Sequence, residues 1–156
     1  TRAKALALEM RDDWTDFRAG PVPPRLVAPV DVALGDLIAA INARSRSGTY
    51  SAAIAAAYAS NDIELRYKPV AAVDTVHFEL WARRARLDAT NGPIDGVRSD
   101  LVTLEWIRDR IAHTLDPVTL TTLDTLVRDL GTAVLDDDAV EAAQIASDLV
   151  DVVEGL

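Results

Sequence analysis

The sequence predicts an all-α protein, an antiparallel up-and-down bundle of about six helices. Apolar residues recur at alternating spacings of three and four in almost every segment, and this spacing marks one face of a helix. Hydrophobic residues make up 49% of the chain and aromatic residues only 5%, a balance that suits closely packed helices better than a β-sandwich. Proline and glycine separate the periodic segments, and such short connections make sequential helices antiparallel neighbours.

The first two periodic segments each predict one helix. The first helix ends at Gly20, before a proline-rich turn. The second is expected to start close to Pro29, because proline lacks the backbone N–H that a helix interior needs. The apolar stripe of the first helix consists of Leu6, Met10, Trp14 and Phe17, and that of the second consists of Val27, Val30, Leu34, Leu37 and Ile41.

The third and fourth segments meet at Pro69. The third helix is expected to be capped by Ser47 or Thr49, whose hydroxyls can accept from backbone N–H groups. Pro69 predicts a kink in one long helix or a very short break, and a break would raise the helix count to seven. The stripe before Pro69 consists of Tyr50, Ile54, Ala57, Asn61 and Leu65, and the stripe after it of Val70, Val73, Val76, Leu80 and Leu87.

Three further stop and start signals define the last helices. The sequence Asn91–Gly92–Pro93 ends one helix and starts the next. Asp116 before Pro117 predicts an N-cap with proline at the first helical position, and the acidic run 136–138 suits the positive end of a helix dipole. The predicted stripes are Val97, Leu101, Leu104, Ile107, Ile111 and Leu115, then Leu120, Leu123, Val127, Leu130 and Val134, then Ala142, Ile145, Leu149, Val152 and Leu156. No linker divides the chain, so a single domain over residues 1–156 is predicted.

Charge and composition argue against several functions. A net charge of -9 opposes binding to nucleic acid or to an anionic membrane surface, because both require cationic faces. No apolar run is long enough to predict a transmembrane segment. The chain has no cysteine, which removes disulfides and thiolate metal ligands. Neither a nucleophile motif nor a phosphate loop occurs, so we expect no catalytic activity and no cofactor.

The compartment is predicted from two weaker signals. The sequence begins at Thr1 rather than at a methionine, and we therefore expect it to be a processed or trimmed form. Together with the absence of cysteine, this favours an extracytoplasmic protein, secreted or lipid-anchored, over a cytoplasmic one.

Polar residues interrupt or border the apolar stripes of the middle helices, and these interruptions are the predicted binding site. After Pro69, an acid, an imidazole, an indole and a guanidinium recur at helical spacing on one face. The alternative is that such residues form ion pairs between helices, with Arg108 pairing with Asp74 or Glu64. The predicted ligand-binding residues are Asn61, Asp74, His77, Trp81, Arg84, Trp106 and Arg108.

A second hypothesis assigns metal binding to two Asp/His pairs. Asp74 and His77 are three residues apart, and Asp109 and His113 are four apart on the next helix. Bundle di-metal sites use two E-x-x-H pairs with further glutamates. This chain departs from that pattern, because Arg108 stands three residues after Glu105.

The sequence therefore predicts a non-catalytic helical-bundle domain that binds a partner protein or a small ligand through a helix face or an inter-helix groove. The alternative is a metal-handling or redox bundle that uses the Asp/His pairs.

Overall fold

The computed structural model describes residues 2–156, and over these residues it is helical, without strands. It contains seven α-helices and one short 3-10 helix in the described range, which confirms the predicted all-α class. The chain divides into two compact units, an N-terminal unit that ends at Arg66 and a C-terminal unit that begins at Tyr67. The single domain predicted from the sequence stays a prediction.

The helices are numbered in chain order. In the N-terminal unit these are α1 (Arg2–Arg18), α2 (Pro24–Asn42) and α3 (Arg46–Glu64). In the C-terminal unit these are α4 (Val70–Asn91), α5 (Ile94–Ile111), α6 (Pro117–Leu135) and α7 (Ala139–Glu154), with the 3-10 helix Ala112–Thr114 after α5.

The core of the N-terminal unit is built on the small side chains of α3. The predicted stripe of α3 is wrong for most of its members, since Tyr50 and Leu65 are half exposed and Ala57 is exposed. The buried stripe is shifted and consists of Ala52, Ala56, Ala59 and Ile63. Alanine methyl groups allow close helix contact, so in this alanine-rich helix the larger apolar residues do not mark the buried face.

Two predicted helix starts in this unit are also wrong. Helix α2 begins at Pro24, five residues before Pro29, which lies inside the helix. Pro24 suits the first turn because its fixed φ is helical, whereas Pro29 leaves the carbonyl of Arg25 without its helical donor. Helix α3 is capped by Ser45, whose hydroxyl accepts from the Gly48 N–H at 3.1 Å, and not by Ser47 or Thr49.

Pro69 breaks the chain between two helices. Helix α3 ends at Glu64 and α4 begins at Val70. Pro69, with φ -56° and ψ 144°, is the non-helical residue that directly precedes α4. The predicted kink is therefore wrong, and the alternative of a short break is correct. The break follows from the missing N–H of Pro69 and from the steric restriction that proline places on Lys68.

The C-terminal unit is built from four helices with one apolar core. Helix α4 packs against α5 and α7, and α6 packs against α5 and α7. Arg110 pairs with Asp74 and Arg84 with Asp100, so α5 runs antiparallel to α4. The largest fully buried side chains of this core are Phe78, Leu104, Ile107, Ile111, Leu123, Leu130 and Leu149.

The starts of α6 and α7 are both capped by aspartate, as the sequence suggests. Asp116 accepts from the N–H groups of Val118 and Thr119 at 2.9 and 3.1 Å. Asp138, the last residue of the acidic run, accepts from Val140 and Glu141 at 3.1 and 3.0 Å. Within residues 2–156, no helix has the length and apolar character that crossing a membrane requires.

Candidate functional site

A groove of about 730 Å³ lies between α5 and α6 and is open to solvent. Its apolar lining includes Leu101 on α5 with Val127 and Val134 on α6. Gly131 leaves space on the α6 side, because a Cβ at this position would meet only Leu101, at 3.6 Å from its Cδ2 atom. The missing side chain of Gly131 is therefore one reason why α5 and α6 leave a groove between them.

Charged side chains of both signs line the groove. From α5 these are Arg98, Glu105, Arg108 and Asp109, and from α6 they are Asp124 and Arg128. The three arginines and three acids balance, so the groove is polar at its edges without a strong net charge. Such an edge favours a ligand that carries charges of both signs over a purely anionic or cationic one.

Arg108 ties the two walls together at one end of the groove. Its guanidinium donates to Asp124 across the groove and to Asp109 at 2.6 Å. These hydrogen bonds raise the pKa of Arg108 above its usual value. The predicted pairing of Arg108 with Asp74 is wrong, because Arg108 faces α6, whereas Arg110, two residues later, faces α4.

Asp74 pairs with Arg110 across the α4–α5 contact. The Arg110 Nη2 atom lies 2.8 Å from Asp74 Oδ2, and Asp74 is only 4% exposed. The guanidinium carbon of Arg110 lies 4.5 Å from the ring centre of Trp106, which is one turn earlier on α5. Trp106 itself is 58% exposed, so its ring offers an apolar surface to solvent beside this buried ion pair.

Arg84 occupies a second polar contact between α4 and α5. Its guanidinium carbon lies 5.4 Å from the ring centre of Trp81, and its Nε atom lies 3.4 Å from the buried Asp100 carboxylate. Arg84 also lies 3.9 Å from Asp88, one turn later on α4. The sequence-predicted pair of Trp81 and Arg84 is thus brought together, beside two acids that the prediction did not assign to the site.

The remaining predicted residues are distributed over the fold. Asn61 on α3 and His77 on α4 are buried, with 5% and 6% exposure. Asp109 and His113 are exposed, and His113 belongs to the 3-10 helix. Across residues 2–156 no three His, Cys, Asp or Glu side chains form a group that could hold a metal ion. The metal-handling hypothesis gains no support from this geometry and stays a prediction.

Two residues that shape these sites, Gly131 and Asp100, are not among the residues predicted from the sequence. Gly131 stands inside the periodic segment that forms α6, where glycine is unfavourable, so the sequence alone could have singled it out. Asp100 stands three residues after Val97 and four before Leu104, so it interrupts the apolar stripe of α5 in the same way as the polar residues that were selected. Of the predicted ligand-binding residues, Arg108 is the one that lines the groove.

The chain matches no protein-family model, and no curated protein or solved structure is significantly similar to it.

Proposed function

We propose that this protein is a non-catalytic binding module and that the groove between α5 and α6 receives an amphipathic helix of a partner protein. The observation that carries this proposal is the groove itself, an open cleft of about 730 Å³ with an apolar lining and edges that bear charges of both signs. A groove between two helices is a surface into which the side chains of a third helix can pack.

The shape of the groove favours a helix over a small molecule. Small-molecule sites are concave and cover most of the ligand's surface, whereas this groove is open to solvent. An apolar side chain of the partner would lie over Gly131, where it would contact Leu101 and Val127. Charged residues beside that apolar stripe would meet the acids and arginines at the edges of the groove.

The two ends of the groove differ, and this difference suggests where the partner makes its apolar contacts. The pair of Arg108 and Asp124 bridges the walls at one end. The lining at the other end includes Arg98 on α5 and Leu135, the last residue of α6. The Leu135 side chain is 83% exposed. Leu135 therefore extends the apolar lining toward solvent, where a partner helix would cover it.

The experiment is a titration of the protein with fluorescein-labelled synthetic helical peptides, followed by fluorescence anisotropy. The peptides carry leucine at positions i, i+4, i+7 and i+11, with lysine and glutamate flanking the stripe in different orders. We expect at least one charge order to bind with a micromolar dissociation constant, and Gly131→Leu to weaken that binding about tenfold or more by filling the groove.

A matched control separates groove filling from a general effect of replacing a helical glycine. Gly35 on α2 has open space around it, with no neighbour within 4 Å of an added Cβ. Gly35→Leu adds the same side chain to a helix whose residues do not line the groove, and it should leave the affinity unchanged. If Gly131→Leu binds the peptides as tightly as the wild type, or if no charge order binds below about 1 mM, the proposal is wrong.

A further inference from the structure

Asp100 is a buried acid on the core-facing side of α5. It is 2% exposed, and its neighbours on the same side of the helix include the buried apolar residues Val97 and Leu104. Among the residues that the structure describes, none donates a hydrogen bond to its Oδ2 atom. An ionised carboxylate in this position would be costly, because burial removes water from its charge and leaves Oδ2 without a donor.

The groups that face Asp100 from α4 are one acid and one base. Arg84 approaches both acids, with its Nε atom 3.4 Å from Asp100 Oδ1 and 3.9 Å from Asp88 Oδ2. The Asp88 carboxylate is held over the start of α5, where an added Cβ on Gly96 would lie 3.0 Å from Asp88 Oδ2. The half-exposed guanidinium of Arg84 therefore interacts with both carboxyl groups, those of Asp88 and Asp100.

In the part of the chain that the structure describes, α5, α6 and α7 bury no charged side chain other than Asp100 itself. On α5, Asp95 and Arg98 are exposed and pair with each other. The buried positions of α6 and α7 in the described structure carry apolar side chains throughout. With both acids ionised, the cluster of Arg84, Asp88 and Asp100 has a net charge of about minus one, and one added proton makes it neutral.

We propose that Asp88 and Asp100 share one proton, and that the release of this proton loosens the contact between the C-terminal half of α4 and the start of α5. In the proton-bound form, the hydroxyl of one carboxyl group donates to an oxygen of the other, and Arg84 balances the remaining negative charge. After release of the proton to water, two carboxylates face each other with one arginine between them. Asp88, whose side chain is 32% exposed, then turns toward solvent and leaves Gly96.

The electrostatics of the buried acid support this device. Burial raises the pKa of Asp100 to about 7, and the charge of Asp88 and a hydrogen bond with it act in the same direction, against the lowering effect of Arg84. Because the pKa is higher in the folded chain than in the unfolded one, this group stabilises the fold less as the pH rises from about 4 to about 7. The loss of stability therefore continues up to about pH 7, well above the pKa of an ordinary aspartate.

The test combines a carboxyl titration with amide hydrogen exchange on the whole chain. In the wild type, the side-chain carboxyl carbon of Asp100 should titrate near pH 7 by NMR. Protection of the amides that join α4 to α5, corrected for intrinsic exchange, should be on the order of tenfold lower at pH 8.5 than at pH 5.5. Asp100→Asn replaces the shared proton by an amide donor, so it should abolish this difference.

Two further variants make the result interpretable. Asp88→Asn removes the neighbouring charge and supplies a donor to Asp100, so the titration of Asp100 should move to lower pH. Asp95→Asn changes an exposed acid in the first turn of the same helix and should retain the wild-type response. If Asp100 titrates near pH 4 in the wild type, or if Asp100→Asn keeps the pH dependence of the protection, the proposal is overturned.

Discussion

The two buried acids of the α4–α5 contact, Asp74 and Asp100, are paired with arginine in different ways. Asp74 pairs with Arg110 at 2.8 Å. Asp100 shares Arg84 with Asp88 at a longer distance of 3.4 Å. A buried acid with its own base depends on that base for its charge, whereas a buried acid that shares a base can hold a proton instead.

Replacement of Arg110 by methionine should destabilise the C-terminal unit by about 2 kcal/mol, because it leaves the Asp74 carboxylate buried without its partner. Methionine retains an apolar side chain beside Trp106, so loss of that packing contributes little. The free energy of unfolding is measured by urea denaturation followed by circular dichroism. Adding Asp74→Asn should recover most of the loss, since the neutral amide does not need the arginine.

The matched control is Arg98→Met, which removes an exposed arginine paired with an exposed acid on the same helix. We expect this change to stay within about 0.5 kcal/mol of the wild type. An equal loss from Arg98→Met and Arg110→Met would show that burial of Asp74 is not the cause.

The helices show which kinds of pattern are predictable from one sequence. In α5 the stripe of large residues correctly marked the buried face, as at Leu104 and Ile107. In α1 the predicted stripe is wrong for most of its members, since Trp14 is buried but Met10 and Phe17 are 43% and 48% exposed. In α3 the buried face consists mainly of alanines. Because alanine also occurs on exposed faces, its position in the sequence does not identify the core. The pairing of Asp74 with Arg110 rather than Arg108 was unpredictable for another reason: it depends on the rotation of α5 against α4, which only tertiary packing fixes.

Two glycines in α2 and α3 should respond to alanine with opposite signs. Gly35 lies inside α2 with nothing near an added Cβ, so Gly35→Ala should stabilise the N-terminal unit by about 0.5–1 kcal/mol through helix propensity. At Gly48, an added Cβ would lie 2.7 Å from Ser45 Oγ, the atom that caps α3. Gly48→Ala should therefore destabilise the unit by about 1 kcal/mol.

The measurement for both glycines is the midpoint of thermal unfolding by circular dichroism. Ser45→Ala removes the cap directly, and adding Gly48→Ala to that variant should then cost little, because the clashing hydroxyl is gone. If Gly48→Ala raises the midpoint as Gly35→Ala does, the Ser45 cap does not limit substitution at this position.

At the scale of the whole molecule, the C-terminal unit has the larger apolar core. Its principal apolar cluster lies entirely between Phe78 and Val153 and includes residues from all four helices of that unit. The clusters of the N-terminal unit are smaller and contain many alanines, together with Trp14, Ile63 and the aliphatic residues of α2. A larger apolar cluster removes more surface from water and so contributes more to stability.

We therefore expect a fragment of residues 67–156 to remain helical and to unfold cooperatively on heating, whereas a fragment of residues 1–66 should unfold at lower temperature with a broader transition. Far-ultraviolet circular dichroism gives the helix content of each fragment, and analytical ultracentrifugation shows whether either one associates. Mixing the two fragments provides the control, because a rise in the midpoint of either one would reveal stabilisation by the other. A 67–156 fragment that is unfolded at 25 °C would favour the single domain over residues 1–156 that the sequence predicts, since its core would then require the N-terminal helices.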